Sequence, residues 1–257
     1  MLKRILAAAA LATLAAGAAA DSPAPAPIRF LLSFDDGPAP STARVLQTLA
    51  ANPVQPGIKA IFFVQTRIGD GAQLMRRTHA EGHLLAVHTG TEQGHVSHMA
   101  LSTEELERSL AQAKADIAAQ SDGAVPRFVR PPFWFYDEST LASYARVDLA
   151  MLLTDITARD GMVLGINLVP ARRSMIRAQL ERIKQPWQAG ALPALDGATP
   201  IVATFHDVNS GTADRLAEYL AMLVDEARAA GLALGERPFF DRREALERAA
   251  GLRARRL

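Results

Sequence analysis

The sequence predicts an α/β fold in which parallel strands are covered by helices. Two observations carry this: short apolar runs alternate with helical patterns from Ile28 onward, and the unusual polar side chains fall just after the apolar runs. Candidate strands are 28–34, 59–64, 84–88, 126–129, 149–154 and 200–205, with a weaker one at 233–239. Candidate helices are 42–51, 70–81, 103–119, 138–145, 170–184, 212–230 and 241–250. About seven strand–helix units in about 230 residues suit a barrel as well as an open sheet. No internal repeat and no break in composition calls for a second domain.

The N-terminus comes first in chain order. Lys3 and Arg4 precede an apolar, Ala-rich run from Ile5, and Ala18-Ala19-Ala20 precede Asp21. That is the layout of an export signal over residues 1–20, with a small-residue cleavage site. The run is short for a span of about 20 apolar residues, so no stable membrane span is expected after cleavage. The expected location is periplasmic or secreted, an uncleaved anchor being the alternative. Residues 21–27, "DSPAPAP", read as a Pro/Ala linker.

The first strand ends in "SFDDGP", where Asp35 and Asp36 sit at its C-terminal mouth and Gly37-Pro38 turn the chain. Adjacent carboxylates repel unless a positive partner lies beside them. The third strand leads into "VHTGTEQGHVSH". Four of the six His of the chain, His83, His88, His95 and His98, lie within sixteen positions there. His88, one more His and an Asp make a three-ligand set with room for water or substrate. Imidazole with carboxylate suits Zn, and also Co, Ni or Fe. The helix at 103 opens on a capping box, Ser102 and Glu105. Arg130 follows the fourth strand and Asp160 follows the fifth after a short extension, with Asp155 as its rival. His206-Asp207 follow the sixth. Strand C-termini share one face in parallel α/β folds, so these loops converge on one place. Phe133, Trp134, Phe135 and Tyr136 form an aromatic run that is either core or a sugar-stacking wall.

Composition removes several classes. Formal net charge is +1, which gives no global signal for nucleic acid or an anionic membrane. With no Cys there is no disulfide framework, thiolate metal site or Cys nucleophile. The basic ending 246–257 reads as a solvated tail beyond a catalytic domain over 28–245. No feature fixes an oligomeric state.

"SFDDGP" resembles the first motif of the polysaccharide deacetylase family, the NodB-type carbohydrate esterases. "EGHLLAVHT" is similar to the approach to the second, "RPPF" at 130–133 to the third, "TARDG" at 157–161 to a fourth, and "IVATFHD" at 201–207 to a fifth. The motifs stand in family order. The resemblance implies a distorted TIM-like (β/α)7 barrel in a single domain. It implies Asp36 and two His as ligands of one divalent metal, Asp35 as the base toward water, and a backbone N–H near Phe133 as oxyanion donor. Arg130 would pair with Asp35, His206 would protonate the leaving group, and Asp160 would orient His206 and raise its pKa.

The second motif departs from the family, which usually places its partner His four positions after the first. Here His95 is seven positions after His88 and His98 is ten. Counting back from Leu101-Ser102 favours His95 as the third ligand, with an insertion in "GTEQG" and His98 as the alternative. Gly161 stands where the family often has Trp, and Thr204 and Phe205 where it often has small aliphatics. The expected activity is removal of acetyl groups from an N-acetylated polysaccharide or oligosaccharide. Alternatives are polysaccharide O-deacetylation, hydrolysis of small amides, and a non-catalytic carbohydrate-binding relative.

Overall fold

The computed structural model describes residues 24–69, 71–160 and 172–256. The expected export segment, Gly161 and the first residues of the expected helix 170–184 lie outside them. Among the described residues eight strands form one sheet: β1 (Ile28–Asp35), β2 (Ala60–Gln65), β3 (Leu84–Thr89), β4 (Phe128–Val129), β5 (Ala150–Met151), β6 (Ile156–Thr157), β7 (Thr199–His206) and β8 (Leu234–Phe239). The helices among the described residues are α1 (Thr42–Ala50), α2 (Ala72–Ala80), α3 (Thr103–Ala119), α4 (Glu138–Arg146), α5 (Arg173–Gln188), α6 (Ser210–Ala229) and α7 (Arg243–Arg253). Strand order is β5-β4-β3-β2-β1-β7-β6, with β8 also on β1, and every ladder is parallel.

The two ends of this order, β5 and β6, are joined by only Leu152–Asp155. The sheet is therefore curled almost into a closed barrel without a ladder between those edges. The expected strand 149–154 shortens to two residues, and β6 is an addition the sequence did not announce. The reason is the seam, where chain from Leu152 onward serves side chains and the neighbouring strand. Arg130 Nε donates to the Leu152 carbonyl at 2.9 Å, and Thr154 Oγ1 to that of Ile156 at 2.7 Å. Asp155 N–H donates to the Val202 carbonyl, and its carboxylate accepts from Val202 N–H at 2.8 Å.

Alternation along each strand separates two cores. Phe30, Leu32, Phe34, Phe62, Val64, Ile201 and Phe205 face the helices, packed with Leu46 of α1, Leu110 of α3 and Leu220 of α6. Leu31, Ile61, Phe63, Leu84, Ala86, Phe128, Ala150, Leu152 and Val202 point the other way and form the barrel interior. Both faces are covered, which is why these strands read as continuous apolar runs.

One end of the interior is closed by α7, whose Ala245, Leu246, Ala249 and Ala250 pack into this second cluster. The expected boundary at 245 falls within this helix. The chain beyond it plugs the barrel, Arg253 pairs with Asp155 at 2.5 Å, and the Arg255 main chain bridges to Met151. The linker end is also docked, because the Ala26 carbonyl accepts from Trp187 Nε1 and Thr199 Oγ1. No helix among the described residues is long and apolar enough to cross a membrane.

Candidate active site

The open end of the interior holds the polar residues, and the same alternation puts them there. Asp35 continues the inward series Leu31, Ser33; His88 continues Leu84, Ala86; His206 continues Val202, Thr204. The β1–β7 register sets Asp35 beside His206. Val87 pairs with Val129, which brings His88 next to Arg130.

Asp36 leaves the strand with φ 73°. A left-handed non-glycine residue costs about 1–3 kcal/mol and persists only where its surroundings impose it. Gln65 imposes part of it, donating from Nε2 to the Asp36 carbonyl and from its N–H to that of Gly37. The conformation aims Asp36 Oδ1 at two imidazoles, 3.1 Å from His88 Nε2 and 3.2 Å from His95 Nε2. Burial pushes the Asp36 carboxyl up, but His88, His95 and His206 facing it outweigh that and hold it down to about 2.

His88 Nδ1–H donates to the Arg130 carbonyl at 2.7 Å, which turns its Nε2 toward Asp36. Burial lowers the His95 pKa below its usual value, with Asp36 opposing. Asp36 Oδ1 is itself buried without a hydrogen-bond partner. A carboxylate oxygen and two imidazole nitrogens, all within 4.8 Å of one another, fit one divalent cation.

His98 does not join them. It is fully buried, and its Nδ1 hydrogen-bonds the Tyr144 hydroxyl at 2.7 Å under an edge-on ring contact. Burial pulls its pKa down to about 3, so it is a neutral core His.

Arg130 is fully buried beside this trio. It donates to Asp35 Oδ1 and Ser33 Oγ, both at 2.7 Å, and its guanidinium lies 4.0 Å from the centre of the Phe63 ring and 5.1 Å from that of Trp134. Burial lowers the guanidinium pKa and Asp35 opposes that shift. On the opposite side His206 Nδ1 faces Asp160 Oδ1 at 2.9 Å, and its Nε2 stands 4.0 Å from Asp36 Oδ2. Burial disfavours the imidazolium, but the Asp160 bond and charge, with Asp35 and Asp36 beyond, raise the pKa to about 9.

Asp160 is held by His206 N–H, Thr212 Oγ1 and, at its carbonyl, Asn209 Nδ2. Asp155, the rival, lies in the barrel seam with Arg253 and Val202. Thr212, Asn209, Ser33 and Gln65 were not singled out from sequence; polar residues within or just after the strands that carry the site are the signal that could have found them.

The aromatic run divides. Pro132–Trp134 make a 3-10 turn in which Phe133 and Trp134 both have positive φ, 58° and 66°. Trp134 and Phe135 N–H donate to the Pro131 and Pro132 carbonyls. Phe133 and Phe135 are exposed, at 48% and 60%, and Phe133 sits 4.2 Å from the His95 ring. Thr204 is spent on Ser33 and Thr154, and Phe205 faces outward onto Tyr219.

The family profile of polysaccharide deacetylases matches residues 24–152. With the strand order and site geometry, that places the chain in the polysaccharide deacetylase family. It is 26% identical over 205 residues to a chitin deacetylase of Arthroderma benhamiae, covering 78% of this chain and 48% of that protein. It is 32% identical over 139 residues to a chitooligosaccharide deacetylase of Sinorhizobium fredii, covering 54% and 62%. The chain thus spans about half to three-fifths of the length of these curated relatives. Among solved structures, a family 4 acetyl xylan esterase from Clostridium thermocellum in complex with a cobalt ion superposes with a TM-score of 0.55 at 25% identity, over 79% of this chain and 85% of that one. The fold is the distorted (β/α)7 barrel of that family.

Proposed function

We propose that this protein is an exported, metal-dependent hydrolase that removes acetyl groups from N-acetylated polysaccharide or oligosaccharide. The observation that carries this is the arrangement at the barrel mouth. Asp36, His88 and His95 make a cation site, flanked on one side by Asp35–Arg130 and on the other by His206–Asp160. A divalent cation held by the trio would supply Lewis-acid polarisation, Zn being favoured and Co, Ni or Fe compatible.

Arg130 binds Asp35 Oδ1 and fixes the rotamer, so that Asp35 takes a proton from the attacking water. The water oxygen forms the new C–O bond to the acetyl carbon. Phe133 N–H, which follows two prolines and precedes the engaged Trp134 and Phe135 N–H groups, donates to the developing oxyanion. His206 Nε2–H protonates the leaving nitrogen as the C–N bond breaks, giving acetate and a free amine. A His held above its usual pKa keeps that proton at neutral pH.

Exposed Phe133 and Phe135 beside the site support a sugar substrate, since pyranose rings present apolar C–H faces to aromatic rings. Names of the relatives support the chitin type, while the esterase neighbour keeps O-deacetylation as the second reading. Residues 1–20 are proposed as the export signal; N-terminal sequencing of protein from the periplasm or medium would then begin at Asp21.

The test is acetate release from N-acetylated and O-acetylated oligosaccharides, first chelated and then with Zn or Co restored. Metal-dependent release from chitooligosaccharide is expected. Release only from O-acetylated sugars would move the reading to an esterase. No release from either, with metal bound, would leave the small-amide hydrolase. A bound sugar without metal or turnover would favour the non-catalytic relative.

A further inference from the structure

The loop after Asp36 runs from Gly37 to Ser41 and leads into α1 at Thr42, and one residue just past β7 touches it at both ends. That residue is Asp207, buried at 1% exposure, directly after His206. Its carboxylate lies flat against Gly37, where an added Cβ would collide with both carboxylate oxygens. Its Oδ2 accepts from Thr42 Oγ1, and that hydroxyl in turn accepts from Ala39 N–H at 2.9 Å. Its main-chain carbonyl accepts from Ser41 Oγ. Asp207 Oδ1 has no hydrogen-bond partner among the described residues, although it is buried.

A buried carboxylate with one oxygen unpaired is costly to fold. It persists where the group does something an apolar residue cannot. Here it does three things at once. It accepts the Thr42 hydroxyl, which orients that oxygen toward Ala39 N–H. It leaves room for a glycine Cα and nothing larger. It binds the loop to the same strand end that carries His206. Gln65 pins the opposite side of Asp36 from β2. The strained Asp36 backbone is thus held from two strands.

The geometry points to Asp207 as a positioning residue that clamps the Gly37–Thr42 segment onto the end of β7 and so fixes Asp36 relative to His206. It touches no reacting atom. The inference rests on the proposed role of Asp36 as a cation ligand only for its consequence; the clamp itself is a contact between two loops.

The test compares full-length wild type with Asp207→Ala, Asp207→Asn and Thr42→Val. Two quantities are read: affinity for Co²⁺ or Zn²⁺ by titration of the chelated protein, and amide exchange over residues 36–42 in the metal-free protein. Outer partners of metal ligands are worth about 10–100-fold in affinity. Asp207→Ala and Thr42→Val are each expected to weaken metal binding by about tenfold and to speed exchange over 36–42 alone. The double variant is expected to lose no more than either single one. Asp207→Asn keeps an oxygen for Thr42 and is expected to restore most of both. If Asp207→Ala does not fold, Thr42→Val, which removes only the hydroxyl, decides alone. Unchanged affinity and exchange in Thr42→Val and Asp207→Ala would overturn the clamp, as would a loss of protection spread evenly over the chain. Wild-type protein that binds no metal would end the metal reading, and the exchange comparison would still decide the clamp.

Discussion

The two ends of the barrel interior are built from the same strands, on the same face, four residues apart. At one end Leu31, Leu84 and Val202 meet α7 and are dry. At the other Asp35, His88 and His206 face the mouth. Between them lies a layer of Ser33, Ala86 and Thr204, two of which are polar but satisfied, with Arg130 entering from the side. The gradient has a physical logic. A site with adjacent carboxylates, a buried guanidinium and three left-handed non-glycine residues, Asp36, Phe133 and Trp134, opposes folding. Well-packed apolar burial at the closed end offsets it. One end supplies stability and the other spends it on chemistry, so substitutions at the two ends have opposite signatures.

The largest effect is expected at the open end. Asp35→Asn keeps the side chain's shape and an oxygen for Arg130 but removes the base, so kcat for acetate release falls by about 10²–10⁴-fold. Metal content measured by atomic absorption stays at the wild-type level. Retained turnover would show that another group takes the proton. The mirror experiment is Leu246→Ala in α7. Removing a fully buried Leu from the plug costs about 2–5 kcal/mol in urea denaturation, because the transfer term and the cavity add. At 25 °C the folded fraction keeps its kcat and its metal affinity. A kcat loss in a folded Leu246→Ala variant would break the separation of the two ends.

Much of that contrast was legible before the structure. Parallel alternation, the long strands β1, β2, β3 and β7, and the residues at their ends follow from continuous apolar runs that stop at polar groups. At the closed end the helix expected at 241–250 is legible, but its burial is not. The α7 stretch is dominated by Arg and Glu, and its buried stripe is Ala245, Leu246, Ala249 and Ala250, of which only Leu246 is strongly apolar. Small residues pack closely without raising hydrophobicity, so composition read a solvated tail. The seam was hidden for another reason: β5 and β6 are two residues each, too short for any periodicity. Supports such as Thr212 and Asn209 acquire meaning only once β7 and α6 bring them to Asp160.

A pH titration sharpens the comparison within the open end. The folded-state pKa of His206 is raised to about 9 from an ordinary 6.5. Its contribution to stability is therefore fully present below about 6.5 and is lost as pH rises through about 9. Asp160→Asn removes the carboxylate that does most of the raising. In the metal-free protein, the His206 ring resonances are expected to titrate near 9 in wild type and well below that in the variant. The stability gap between the two proteins is widest below pH 6.5 and narrows as pH passes 9. A His206 titration unmoved by Asp160→Asn would separate the two residues and leave the acid without its orienting partner.

The smallest effect is expected at His98, in a comparison of the two His that sequence spacing alone left open. His95 is part of the cation trio and His98 is three residues further on, buried on Tyr144. His95→Ala deletes a donor atom and is expected to lower metal affinity by more than the about 10–100-fold typical of an outer partner. His98→Gln keeps an amide near the Tyr144 hydroxyl and is expected to leave metal affinity within about twofold, while stability falls by about 1–3 kcal/mol where the amide fails to replace the buried bond. The reverse pattern, with metal lost in His98→Gln and kept in His95→Ala, would require the loop 90–97 to rearrange on metal binding and bring His98 out of the core. That rearrangement would have to break the Tyr144 bond and expose a ring whose pKa of about 3 records how dry its present site is.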